Sequence, residues 1–126
     1  MRRDSPAGAM IELRQYQTAA NRSPYAEWFN RLDAAAAAKI SVALSRLELG
    51  NTSNVETVGE GVSELRVNFG PGYRIYFGWD GPMLVILLGG GTKKRQNRDI
   101  EKAHTHWSDY KLRKKEAQKR MARQCH

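Results

Sequence analysis

Between Ser63 and Leu88 the chain carries three strand-length segments separated by two turn signals, and this pattern limits the fold more than any other feature. From Ser63 to Phe69, Leu65, Val67 and Phe69 alternate with Glu64, Arg66 and Asn68. A period of two puts the two sets on opposite faces of a strand. Gly70-Pro71-Gly72 then turns the chain, Tyr73 to Trp79 alternates again, and Asp80-Gly81-Pro82 turns it once more. Met83 to Leu88 is apolar at every position, which suits a central strand covered on both faces. Short turns join antiparallel neighbours, so the segment reads as a three-stranded antiparallel meander. Gly89-Gly90-Gly91 is expected to release its last strand.

The flanks supply the remaining elements. Met10 to Thr18 alternates through Ile11 and Leu13 and reads as a first strand. Ser23-Pro24 is a helix start, with Ser as N-cap and Pro at the first helical position. Tyr25, Trp28, Phe29 and Leu32 share one face of that helix. Asp33 caps a second, alanine-rich helix with a stripe of Ala36, Ile40, Leu44 and Leu47, stopped by Gly50-Asn51. A last helix carries Ile100, Ala103, Trp107 and Tyr110 on one stripe and is free to run on into Lys111 to Arg123. The expected class is α+β: an antiparallel sheet, made of an N-terminal strand plus the meander, packed by a helical hairpin and a C-terminal helix. Residues 1–9 lack periodicity and read as a disordered extension, residues 10–110 as one domain, and residues 111–126 as a basic C-terminal tail.

Charge is uneven along the chain. Residues 1–92 hold nine Lys/Arg and nine Asp/Glu, while residues 93–126 hold twelve against four, which accounts for the whole net charge of +8. A basic end suits a polyanionic partner, and it equally suits a solvated tail that keeps the protein soluble. No apolar run reaches the length of a membrane span, and the N-terminal arginines have no apolar segment behind them, so no secretory signal is read. One cysteine, Cys125, cannot form an internal disulfide, which points to a reducing cytoplasm. One cysteine and three histidines do not make a zinc spacing. His104 and His106 lie two apart, on different faces of a helix, and Gly89 to Lys93 lacks the spacer of a Walker loop.

The alternation places Arg66, Asn68, Arg74 and Tyr76 on one sheet face, away from Leu65, Val67 and Phe69. The neighbouring strand delivers Lys93, Lys94 and Arg95 to its end. Forked guanidiniums, ammonium groups and an aromatic ring on an open face are what phosphate and base recognition require. The competing reading is that Arg66 and Arg74 pair with carboxylates such as Glu64 across the strands. Periodicity alone leaves both open.

A family resemblance bears on the choice. Asn51 to Asn54, Gly61-Val62-Ser63-Glu64-Leu65-Arg66, Gly70-Pro71-Gly72-Tyr73-Arg74-Ile75-Tyr76 and Leu88-Gly89-Gly90-Gly91-Thr92-Lys93-Lys94-Arg95-Gln96, followed by Asp99-Ile100 and Ala103, occur in this order. Together they resemble the RelE/ParE toxin superfamily, in its addiction-module killer branch, described as HigB-like or phage Gp49-like. The resemblance runs from about Ile11 to Tyr110.

It implies a toxin of a type II toxin–antitoxin pair, with a helix-turn-helix antitoxin as partner. It further implies a cytoplasmic mRNA endonuclease, metal-independent and acting at the ribosome. On that reading Arg74, Lys93 and Lys94 are catalytic, with His104 as the nearest histidine for proton transfer. Arg66, Tyr76, Arg95 and Gln96 would bind RNA. No cofactor and no metal site is expected. Where relatives place a tyrosine after the basic pair, this chain has Gln96, Asn97 and Ile100. The fold is shared by toxins that poison gyrase without nuclease chemistry, and an inactivated toxin that co-regulates its operon is the remaining alternative.

Overall fold

The meander forms as the alternation dictates, and the chain around it closes both faces of the sheet. A computed structural model describes residues 10–124. In chain order the elements are β1 (Glu12–Gln15), α1 (Pro24–Phe29), α2 (Ala34–Glu48), β2 (Val55–Thr57), β3 (Val62–Val67), β4 (Tyr73–Trp79), β5 (Leu84–Thr92), a 3-10 turn (Lys93–Arg95) and α3 (Gln96–Gln124). The expected extension at residues 1–9 and Cys125 lie outside the described residues.

The five strands order as β1-β5-β4-β3-β2. β3, β4 and β5 pair antiparallel, but β1 lies parallel to β5, with Glu12 opposite Leu84 and Gln15 opposite Leu87. The sheet is therefore mixed, not purely antiparallel. A hairpin turn forces neighbours to run in opposite directions, whereas everything from α1 to β4 lies between β1 and β5, so that constraint is absent. β2 was not anticipated: its three residues are too few for a period-2 signal, yet they extend the sheet beyond β3. Nor do the glycines release β5, which continues through them to Thr92.

A bulge explains how β5 uses its glycines. Tyr76 pairs with Gly89 and Phe77 with Leu87, so Leu88 is the extra residue. Before it, Val85 and Leu87 face one core and Ile86 and Leu88 the other. After it the parity is shifted, and Gly90 turns toward α1 while Gly91 turns toward α3. A Cβ on Gly90 would overlap the Trp28 indole, and one on Gly91 would overlap the Asp99 carboxylate.

The first face is covered by α1 and α2. Ser23 Oγ accepts from Ala26 N at 3.0 Å and Asp33 Oδ1 from Ala36 N at 2.8 Å, so both expected caps form. Trp28, Ile40 and Leu47 then bury against Leu65, Ile75, Phe77, Val85 and Leu87. The second face is covered by α3, with Ala103 and Trp107 on Val62, Tyr76, Ile86 and Leu88. Gly78 allows the close approach, since a Cβ there would lie 2.6 Å from the Trp107 ring.

Polar ties fix the rest of α3. The Tyr16 hydroxyl donates to Asp109 at 2.6 Å, and Arg113 donates to Asp109 and to the Gln17 carbonyl. The Tyr110 hydroxyl donates to Asp80 at 2.6 Å beside Lys114. Tyr110 thus marks no break. The helix continues through Lys111 to Gln124, and its first residues beyond Tyr110 are held by the sheet.

Candidate functional site

The start of β4 and the end of β5 meet at one corner. Tyr73 pairs with Thr92 and Arg74 with Gly91, and the Lys93 N–H donates to the Gly72 carbonyl at 2.7 Å. Lys93 and Arg74 thereby flank Gly72: a Cβ at that position would lie 3.5 Å from Lys93 Cβ and 3.8 Å from Arg74 Nη1. Across the sheet, Arg66 stands directly opposite Arg74. Like charges so placed repel unless something neutralises them.

Glu64 does so. It is 1% exposed, and its carboxylate lies 3.2 Å from Arg66 Nε and 3.9 Å from Arg74 Nε. Gln96, at the start of α3, donates its amide to both oxygens at 2.9 and 3.1 Å. Arg66 makes a further ion pair with Glu56. Of the two readings left open by periodicity, carboxylate pairing is the one that forms. Arg74 is also not on an open face: α3 covers that side, leaving the residue 7% exposed, with Nη1 donating to the Tyr73 carbonyl at 3.1 Å. Its Nε has no hydrogen-bond partner among the described residues.

The other expected residues divide. Lys93, Lys94 and Arg95 are exposed and make no ion pair among the described residues, so they form the accessible cationic surface of the corner. Tyr76 is 1% exposed beneath α3, which removes it as a surface platform for a base; burial, then the nearby Glu64 and Asp99, push its phenol well above the usual range. His104 is not at the corner. Its Nε2 lies 2.9 Å from the Val58 carbonyl, to which it donates, next to Gly59. That loop leads into Val62, the end of β3 four residues from Arg66, or roughly 13 Å along a strand.

A second feature went unread in the sequence. Past Gln15, β1 no longer flanks β5, so Leu88 to Thr92 have no strand on that side. A cleft of about 540 Å³ opens there between α1 and α3. Trp28, Arg31, Tyr76, Arg95, Asp99 and His106 contribute to its lining, with Gly89, Gly90 and Gly91 as bare backbone. His106 is held by stacking on Tyr16, ring centres 4.9 Å apart, and burial lowers its pKa. Burial raises that of Asp99, against the pull of Arg95, Lys102 and Arg98. The available signal was Asp99 four residues after Arg95 and seven before His106, which puts all three along one side of a helix.

Among the described residues no three His, Cys, Asp or Glu side chains gather as a metal site, and no helix is long and apolar enough to cross a membrane. The profile of the phage-derived Gp49-like protein family matches residues 27–121, from α1 through most of α3. This chain belongs to the Gp49-like family. The match takes in the whole cationic corner and nearly all of the cleft. An uncharacterized protein of Haemophilus influenzae is 42% identical over 77 residues, which is 60% of this chain and 78% of that protein.

Proposed function

We propose that this Gp49-like protein is the toxin of a type II toxin–antitoxin pair of the RelE/ParE kind and that it cuts mRNA at the corner formed by Arg74, Lys93 and Lys94. The association of the Gp49-like family with toxin–antitoxin systems supports the first part. The second is carried by the juxtaposition of Lys93 and Arg74 across Gly72, with Lys94 and Arg95 exposed beside them. RNA cleavage requires a base for the 2′-hydroxyl proton, cations for the pentavalent phosphorane and an acid for the leaving oxygen. Arg74, held by Glu64 and the Tyr73 carbonyl, supplies a fixed guanidinium. Lys93 or Lys94, exposed beside it, carries the protons. The 2′-oxygen attacks phosphorus, the bond to the 5′-oxygen breaks, and that oxygen takes up a proton.

On this reading the substrate is mRNA at the ribosome, in the cytoplasm, and the partner is a helix-turn-helix antitoxin. One observation favours a second reading. Arg74 is buried in an ion-pair cluster and His104 is tied to Val58, which leaves only lysines as proton carriers at the corner. That suits a toxin that binds its target without cutting it, as a gyrase poison does, or an inactivated copy retained as operon co-regulator. Inducing the protein in cells and mapping mRNA 5′ ends separates them. New 5′-hydroxyl ends, lost in Lys93→Ala/Lys94→Ala, support cleavage; growth arrest without new ends supports the second reading.

A further inference from the structure

The cleft beside β5 adjoins the corner through Arg95 and has the makings of a ligand site. It is formed by Trp28 of α1 and Arg31 just beyond that helix, the glycine backbone of β5, Arg95 at the end of the 3-10 turn, and Asp99, Lys102 and His106 from α3. Its volume of about 540 Å³ falls in the range of small-molecule sites. Two polar groups in it are unspent. The Tyr76 hydroxyl is fully buried with no hydrogen-bond partner, and the Asp99 carboxylate makes no hydrogen bond or ion pair among the described residues. A buried hydroxyl without a partner is costly in a finished core, but it lies beneath the surface, so the half-buried Asp99 is the group that a ligand in the cleft can meet.

The lining specifies the ligand's chemistry. Arg31, Arg95 and Lys102 surround the cleft with positive charge and suit a phosphate. Between them, the Trp28 indole, Leu88, Ala103 and the flat glycine backbone suit a planar ring. Of the two carboxylates in the lining, Glu27 is taken up by an ion pair with Arg22, which leaves Asp99 unpaired. A carboxylate facing such a ring accepts two parallel N–H donors, the pattern of N1–H and the 2-amino group on guanine. Adenine, cytosine and uracil offer no such pair on one edge. We infer that this cleft binds a guanine nucleotide, its base edge on Asp99 and its phosphate on Arg31, Arg95 and Lys102. The inference shares with the proposed function Arg95 and the idea that the ligand is a nucleotide, free or within an RNA strand.

Calorimetric titration of the full-length protein with GMP, AMP, CMP and UMP reads the inference without any assay of toxicity or cleavage. GMP is expected to bind at least about tenfold more tightly than the other three. In Asp99→Asn the side chain offers one donor and one acceptor, so GMP affinity falls by a similar factor. Xanthosine monophosphate, with a carbonyl in place of the 2-amino group, should gain affinity in that variant. A merely structural role for Asp99 cannot produce that exchange. Two trinucleotide RNAs, one with a central guanosine and one with a central adenosine, identify the source. Guanine preference among the trinucleotides assigns the site to an RNA strand, and preference among the mononucleotides alone assigns it to a free nucleotide. Equal binding of the four mononucleotides, no binding of any, or an Asp99→Asn protein that keeps its affinity for GMP would overturn the inference. If GMP binds yet no RNA is cut, the proposed endonuclease function fails while the cleft stands.

Discussion

Under α1 and α2 the sheet presents Leu65, Ile75, Phe77, Val85 and Leu87 to Trp28, Ile40 and Leu47, an apolar layer with no buried charge among the described residues. Under α3 the opposite face presents Val62, Ile86 and Leu88 together with Glu64, Arg74 and Tyr76, all buried. The first arrangement is what a stable fold needs and no more. The second encloses a carboxylate, a guanidinium and an unpartnered phenol, groups that are expensive to remove from water. Both candidate sites lie at the margins of that second face: the corner where Gln96 reaches Glu64, and the cleft where Asp99 overlies Gly91. One face stabilises the sheet, and the other uses part of that stability to hold polar chemistry in place.

Breaking the apolar face should have the largest effect on stability. Phe77→Ala is expected to cost about 3–5 kcal/mol, as for other fully buried aromatics, and denaturant unfolding will show a midpoint lowered accordingly. A loss below about 1 kcal/mol would mean that this face is not the main core.

Breaking the polar face should come next. Glu64→Ala leaves Arg66 and Arg74 facing each other with the buried guanidinium uncompensated, at a cost of about 3 kcal/mol. Glu64→Gln keeps the shape and an acceptor for Gln96, and should recover part of the loss. The burial of Arg74 also changes how its own substitution is to be read. Arg74→Ala will lower stability as well as function, so the exposed Lys93 is the cleaner probe of the corner. Equal stability of Glu64→Ala and native protein would remove the carboxylate from the account.

Asp99 sharpens the comparison because its expected sign is reversed. Burial raises its pKa above the ordinary 3.8, so the fold favours the protonated form. Below that value native and Asp99→Asn proteins should be equally stable. As pH rises past it the native protein must carry a disfavoured charge, and the Asn variant should become the more stable at neutral pH. Thermal unfolding at pH 3 and pH 7 measures the difference. A variant less stable at pH 7 than native protein would contradict this.

The smallest effect on stability belongs to the distal end of α3. The ties to the sheet end at Lys114, so truncation after Lys115 should change stability by only about 0.5 kcal/mol. It removes Lys119, Arg120 and Arg123, and should weaken RNA binding and flatten its salt dependence by up to about three phosphate contacts. An unchanged salt slope would assign this segment to solubility alone.

How far the sequence could be read follows from the same contrast. The helical caps at Ser23 and Asp33, the α2 stripe and the meander were legible because each depends on local periodicity or a short motif. The parallel pairing of β1 with β5 was not, since only the intervening chain decides it, and three-residue β2 carries no period. Alternation correctly put Arg66, Arg74 and Tyr76 on one face with Glu64, but Asn68 falls past the end of β3, and the pattern could not tell that α3 would cover that face. Covering turned an expected open surface into a buried ion-pair cluster. The cleft was hidden for a related reason: it depends on where β1 stops and on the bulge at Leu88, and neither leaves a mark on composition.

The central claim, that the corner of Arg74, Lys93 and Lys94 cleaves RNA through the substrate's own 2′-hydroxyl, is tested most directly by the ends it leaves. The purified protein is added to translating ribosomes programmed with a defined mRNA, and cleavage products are mapped with their end chemistry. The account predicts 5′-hydroxyl and 2′,3′-cyclic phosphate or 3′-phosphate ends, persistence in EDTA with ribosome integrity controlled, and resistance of an mRNA bearing a single 2′-deoxy residue at the cut site. Products with 5′-phosphate ends, or cutting of the deoxy mRNA at the normal rate, would contradict it.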